Sequence, residues 1–207
     1  MKKLISLALA ALMILTISLA CAATVEPDTD IDDFAGKTLH ATVGEYNAEK
    51  KTFTVTVYDY DRYDDEDIVK LAAGDTILAG GVLYTIDKVA EEEGTKIFYC
   101  GDEEICFEKA PDDDDDLIAR SRAYDDRIFM SVVTVLQLPA AEGIVYEDNS
   151  NPDLDAQMKV AEGLDAVLAA KAEKEANSIG FDFYATTVTL NAKLEIVTIH
   201  QNYDVAQ

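Results

Sequence analysis

The stretch that decides the fold is residues 38–60, TLHATVGEYNAEKKTFTVTVYDY. In its second half Phe53, Val55 and Val57 alternate with threonine and tyrosine, a period of two that is typical of a strand with one buried face. The polar residues 47–51 separate this run from a similar one, as in a β-hairpin. We therefore expect two antiparallel strands here.

Glycines punctuate the next stretch, residues 71–89, LAAGDTILAGGVLYTIDKV. Their spacing matches neither a phosphate-binding loop nor a dinucleotide-binding fingerprint, and no helix signal follows them. Gly80 and Gly81 suit the central positions of a hairpin turn, because glycine adopts positive φ without a side-chain clash. The stretch therefore predicts a hairpin rather than a nucleotide site. Alternating runs predict further hairpins around residues 101–104 and 191–193.

One segment has helical periodicity. Asn151 suits a helix cap, Pro152 suits the first helical position, and apolar residues then recur at three- and four-residue steps up to Leu168. The pattern predicts a helix over about residues 152–178, ended near Gly180.

The sum of these elements predicts an α+β fold that is mostly β. Sequential hairpins imply antiparallel pairing, because parallel neighbours need long crossovers. We expect a curved sheet or partly open barrel with the one helix of the C-terminal half packed on it. Residues 127–138 form a long strand candidate that Pro139 stops. Residues 36–207 are expected to form a single domain, and the alternative is a subdivision at 111–117, where five aspartates are adjacent.

The N-terminus has the pattern of a bacterial export signal. Met1-Lys2-Lys3 is positively charged, and an uncharged apolar run follows it. The pattern predicts a signal peptide over residues 1–22 and a flexible acidic leader over residues 23–35. Small residues around Cys21 favour cleavage and release, and the alternative is lipidation of Cys21. We therefore expect a secreted or cell-surface protein, lipid-anchored in the alternative case.

The charge of the chain limits its partners. The formal net charge is −24 at pH 7, so the surface repels phosphate backbones and anionic lipid. Nucleic acid is therefore excluded as a partner, and membrane contact is expected only through the signal or a lipid on Cys21. The expected partner is a protein or another envelope component.

Two cysteines remain after the predicted signal, Cys100 and Cys106. Their even separation suits one face of a hairpin in an exported protein, so they form a disulfide candidate. The alternative is two buried free thiols, since a two-residue turn at Gly101-Asp102 would put the cysteines out of register. A metal site is less favoured because no other cysteine or histidine lies near in sequence.

Calcium is the one cofactor hypothesis that the sequence raises. Acidic residues alternate in two places, but both places lack the glycine and the final glutamate of an EF-hand loop. What remains is weak, non-motif calcium binding by a group of carboxylates, Asp59, Asp61, Asp64, Asp65 and Asp67.

No catalytic residue is assigned from the sequence. The two histidines, His40 and His200, each fall in a predicted strand without a neighbouring nucleophile or acid in sequence. The favoured function is a non-catalytic, exported module that binds a partner or serves a structural role, and an enzyme is disfavoured. The alternatives are a secreted hydrolase whose carboxylates meet only in three dimensions and a calcium-stabilised surface protein.

Overall fold

The computed structural model describes residues 20–21, 31–111, 116–123, 127–150, 157–176 and 186–202. The chain divides into two compact units: unit 1 comprises residues 1–25 and 60–131, and unit 2 comprises residues 26–59 and 132–207. Residues 60–131 are thus an insertion in the chain of unit 2. The predicted subdivision at 111–117 lies largely outside the described residues.

Strands dominate both units. In chain order they are β1 (Ala20–Cys21), β2 (Thr38–Asn47), β3 (Thr52–Tyr60), β4 (Arg62–Tyr63), β5 (Thr76–Ala79), β6 (Val82–Thr85), β7 (Lys88–Glu92), β8 (Thr95–Cys100), β9 (Glu103–Lys109), β10 (Leu117–Ser121), β11 (Arg127–Ile128), β12 (Met130–Asn149), β13 (Lys159–Glu162), β14 (Thr186–Leu190) and β15 (Ile196–Asn202). The helices are a short 3-10 helix (Ile31–Phe34), α1 (Asp65–Lys70) and α2 (Leu164–Ala176). The predicted mostly-β class is confirmed.

Unit 2 is one curved sheet with the strand order β13-β12-β15-β14-β2-β3. The predicted hairpin of β2 and β3 is confirmed, with Ala41 opposite Val57 and Val43 opposite Val55. Strand β12 also pairs with β3, so the sheet curves strongly around its core. The sheet is mixed, because β12 and β15 run parallel; the expectation of purely antiparallel pairing was wrong at this point.

The core of unit 2 fills the concave side of this sheet, with helix α2 packed against it. The predicted inward residues of β3 are buried, and α2 contributes Val167. Phe34 also belongs to this core, so the chain joins the fold shortly before the predicted boundary at 36. The largest fully buried side chains of this core are Phe53, Leu138, Ile144, Leu190, Ile196 and Ile199.

Pro139 does not stop its strand, contrary to the prediction. Strand β12 continues to Asn149, and its register with β15 shifts between Ala140 and Val145. Proline has no N–H to donate to a ladder and is tolerated where regular pairing is interrupted, which is the situation just before this irregularity.

The predicted helix is shorter than expected. Residues 151–156 lie outside the described residues, and Lys159–Glu162 is a strand. Gly163 has φ +83°, and its N–H donates to Ile144 O at 2.8 Å, so the helix begins only at Leu164. A helix does not run through a left-handed residue, which explains why the periodic apolar pattern did not extend it.

Unit 1 contains a sheet with the order β11-β10-β9-β8-β7, to which β4 adds beside β10, and a smaller sheet with the order β1-β5-β6. The turn at Gly80 and Gly81 is confirmed, since both have positive φ and Ala79 pairs with Val82. Helix α1 was not predicted. The buried core includes Ile77, Ile86, Phe98, Ile105, Ala119 and Phe129.

The two ends of the insertion meet. The N–H of Asp61 donates to the carbonyl of Phe129 at 3.3 Å, within unit 1. The chain therefore enters and leaves this part of unit 1 at neighbouring points.

Most of the predicted signal peptide and leader lies outside the described residues. Ala20 and Cys21 form β1, which runs parallel to Thr76 and Ile77 of β5. None of the helices in the described part of the chain is long and apolar enough to span a membrane.

Candidate functional site

Both histidines lie in one cross-strand row on the outward face of the unit 2 sheet. The pairings place Glu147 beside His200, His200 beside Thr187, Thr187 beside His40 and His40 beside Tyr58. Adjacent strands are about 4.8 Å apart, so the two histidines are separated by about 10 Å with a threonine between them.

Among the described residues of unit 2, His200 and Glu147 most resemble a catalytic histidine–carboxylate pair. His200 Nδ1 lies 2.9 Å from Glu147 Oε2, the contact that orients a histidine base, but its Nε2 lies 2.8 Å from Asn202 Oδ1. The side chains of His200 and Glu147 are 29% and 33% exposed, on an open face. Both ring nitrogens are thus engaged within the protein, and Nε2 faces an amide rather than a nucleophile.

His40 is more buried than a surface base would be. Burial lowers the pKa of His40 below its ordinary value, although the negative charge of Asp59 acts to raise it. The neutral imidazole is therefore favoured at neutral pH, which fits a strand histidine better than a cation site.

A second group of polar side chains joins β12 to the C-terminal half of α2. Lys174 Nζ lies 2.9 Å from Asp148 Oδ2 and donates to Ser150 Oγ, while Ser150 donates to Asp148 Oδ1 at 2.6 Å. Burial acts to raise the pKa of Asp148, but the hydrogen bonds from Ser150 and Lys174 outweigh it and hold that pKa below its ordinary value.

This group resembles a serine–lysine catalytic pair in composition but not in geometry. A lysine base must be neutral to accept a proton, whereas Lys174 forms an ion pair. The Ser150 hydroxyl points its proton at Asp148 and not at the amine. The arrangement therefore serves to attach α2 to the sheet.

A depression lies in unit 1, on the outward face of its main sheet. Its volume is about 630 Å³, and it is lined by side chains of β7 to β10 and the adjoining turns. Register places alternate residues of neighbouring strands on this face, for instance Cys106 opposite Arg120. The lining of this depression includes Glu92, Thr95, Cys106, Glu108, Arg120 and Arg122.

Hydrogen bonds and ion pairs fix the side chains of this depression. Tyr99 Oη donates to Glu92 Oε1 at 2.9 Å, and Arg122 Nη1 donates to Glu92 Oε2 at 3.2 Å. Arg120 Nη1 pairs with Glu108 Oε2 at 2.6 Å. The hydrogen bond from Tyr99, followed by that from Arg122, lowers the pKa of Glu92.

Cys100 and Cys106 are free thiols, so the disulfide candidate is not formed. Cys100 pairs with Glu103 across a two-residue turn, while Cys106 pairs with Ile97, so the sulfurs are out of register. Burial, with smaller contributions from Asp87 and Glu103, raises the pKa of Cys100 to about 11. The thiol of Cys100 is therefore not an activated nucleophile.

The five calcium candidates lie on different elements. Asp61 is buried and accepts the N–H of Gly80, Asp64 lies at the N-terminal cap of α1, and Asp65 and Asp67 follow in its first turn. Asp59 lies in β3. The described residues contain no group of three or more histidine, cysteine, aspartate or glutamate side chains that could hold a metal ion.

Sequence reasoning missed the groups that the fold brings together. The row of Glu147 and His200 depends on the parallel register of β12 with β15, and the pair of Asp148 and Lys174 depends on the packing of α2. No local motif marks either one. The hairpin of β8 and β9 was predicted from the sequence, but β7 and β10 were not, and only the strand pairing shows which charged residues share a face.

No protein family model, curated protein or solved structure matches this chain.

Proposed function

We propose that this protein is an exported, non-catalytic module that binds a polar partner through the depression on the outward face of the unit 1 sheet. The observation that carries the proposal is the pre-ordered polar lining of that depression. Glu92, Tyr99 and Arg122 hold one another in place, as do Glu108 and Arg120. Such fixed donors and acceptors bind a polar partner without first losing side-chain entropy.

The protonation of the carboxyl groups supports binding over hydrolysis. A carboxylate-based hydrolase needs one carboxyl whose pKa is raised, so that it can act as a general acid. Glu92 in the depression has a lowered pKa, through Tyr99 and Arg122, and Glu108 forms an ion pair with Arg120. These carboxylates suit recognition of donors rather than proton transfer.

The reactive side chains elsewhere also favour a non-catalytic role. Cys106 lines the depression, but unit 1 contains no histidine to act as its base. In unit 2, His200 and Lys174 are engaged in structural bonds. The predicted export signal of residues 1–22 supports a binding role outside the cytoplasm.

Site-specific photocrosslinking in the producing cell tests the proposal. A photoreactive residue at Thr95, which lines the depression, should capture a discrete partner. The matched control is Thr85, an exposed threonine of β6 in the same unit that does not line the depression. Substituting Arg122→Gln should weaken capture from Thr95, because it removes the ion pair with Glu92.

Equal capture from Thr95 and Thr85 would contradict the proposed surface. Turnover of a glycoside, ester or peptide substrate by the purified protein, abolished by Glu92→Gln or Glu108→Gln, would replace the binding module with a hydrolase. The two readouts are independent, so the surface and the absence of catalysis are tested separately.

A further inference from the structure

A second cavity lies in unit 2, among side chains of β12, β13 and α2. Its volume is about 190 Å³. Val160 and Ala161 of β13, Ala170 of α2 and Tyr146 of β12 line it, which gives it largely apolar walls. The hydroxyl of Tyr146 is already committed to Gln201 Oε1 at 2.8 Å.

The size of this cavity sets the size of a ligand. A water molecule occupies about 30 Å³, and a dry cavity of about 150 Å³ holds benzene. A cavity of about 190 Å³ therefore accommodates a six-membered ring with one small substituent.

The charges around the cavity define the substituent. Asp148 and Lys174 neutralise each other through their 2.9 Å ion pair. Glu173 lies on the α2 side of the cavity. Burial raises the pKa of Tyr146 most, and the negative charges of Asp148 and Glu173 raise it further. Lys159, on the β13 side, is exposed and forms no hydrogen bond or ion pair within the described part of the chain.

We propose that this cavity binds a small organic monocarboxylate with an apolar, ring-sized body. The body occupies the space between Ala161 and Ala170, and the carboxylate meets the ammonium group of Lys159 at the β13 side, away from Glu173. A compact cation is disfavoured at Lys159 by repulsion, and a larger dianion is disfavoured by size and by Glu173. This site is separate from the depression of unit 1, so the inference does not rest on the function proposed above.

Titration of the purified protein with phenylacetate tests the inference. Binding is monitored through the NMR signals of the alanine methyl groups. Phenylacetate should shift Ala161 and Ala170 saturably, with a Kd on the order of 1 mM, because only a few apolar contacts and one exposed ion pair contribute. Lys159→Gln should weaken binding about three- to five-fold, as expected for a solvent-exposed charge pair. The neutral isostere phenylacetamide should bind the wild-type protein more weakly by a similar factor.

Two variants control for indirect effects. Lys193→Gln changes an exposed lysine in the turn before β15 and should leave the affinity unchanged. Ala170→Leu fills the cavity with a residue that favours helix and should abolish the shifts while the thermal midpoint is retained. The inference is overturned if phenylacetate shifts neither alanine at tens of millimolar, if Lys159→Gln binds as tightly as wild type, or if phenethylammonium binds more tightly than phenylacetate.

Discussion

Lys96 closes the C-terminal end of helix α1 from a neighbouring strand, and its replacement offers a sharp test of the unit 1 packing. Its ammonium group donates to three backbone carbonyls, Ile68 O at 3.1 Å, Val69 O at 3.0 Å and Leu71 O at 3.2 Å. Carbonyls at a helix end have no partner within the helix, and a cation there also complements the helix dipole. We expect Lys96→Met to loosen α1 specifically.

The expected magnitude follows from these contacts. Hydrogen bonds to a charged group contribute about 1.5–3 kcal/mol, and a cation at a helix C-terminus adds about 0.3–1 kcal/mol. The bond to Val69 is exposed, so water replaces part of the loss, and we expect a decrease of about 2 kcal/mol in the free energy of unfolding. Methionine keeps the apolar stem of Lys96 but lacks the ammonium group, which lies 5.0 Å from the centre of the Phe98 ring.

The assay is equilibrium unfolding in urea together with amide hydrogen exchange at Leu71, whose N–H donates to Ile68 O at 3.3 Å. The control is Lys70→Met, which removes only an exposed ion pair to Asp67 and should cost about 0.3 kcal/mol. If Lys96→Met is no less stable than Lys70→Met, and exchange at Leu71 is unchanged, the assigned role of Lys96 is wrong.

Three further predictions concern other parts of the chain. Gly80→Ala should destabilise by about 1–2 kcal/mol in urea unfolding, because φ is +57° and the added Cβ lies 3.1 Å from a phenylalanine ring carbon. Gly81→Asn, at φ +75° in open space, should change stability by less than about 0.5 kcal/mol, and similar losses for both variants would contradict this account. The pKa of Asp148 is lowered in the fold, so its stabilising contribution is complete above its ordinary pKa of 3.8 and is lost as pH falls through the folded value. The stability difference between wild type and Asp148→Asn should therefore shrink as the pH falls from about 5 into the acid range below 3.8, and a constant difference would count against the ion pair. A thiol reagent at about pH 8 should not label Cys100 before unfolding, since its thiol is buried and its pKa is about 11; rapid labelling of Cys100 in the native protein would refute its buried placement.

Much of the fold was predictable because strands and turns leave local signals. The hairpin of residues 38–60 follows from a period of two, and the turn at Gly80-Gly81 follows from positive φ. Helix α2 was expected but placed too early, since the cap-like Asn151-Pro152 and the periodic residues after it do not reveal that Gly163 interrupts the helix.

The candidate sites were not predictable in the same way. His200 meets Glu147 only because two strands distant in sequence pair in parallel. From the sequence, Pro139 predicts the end of a strand. The shift in register between β12 and β15 beside it explains why β12 continues. Hydrophobic alternation and turn geometry set the register within a hairpin, but no turn links strands as distant in sequence as β12 and β15, so their register had no local signal.

The hydrogen bond between Asp61 and Phe129 has a consequence for the order in which the protein acquires its structure. Strands β3 and β12 of unit 2 belong together but flank the whole insertion, and an unstructured segment of that length opposes their meeting through its entropy. Once residues 60–131 are folded, the bond between Asp61 and Phe129 holds their ends together at 3.3 Å, and the long segment acts as a tight connection. Early folding of the inserted segment would thus accelerate closure of the surrounding sheet. Slowing its folding would delay unit 2 even where no unit 2 contact is altered.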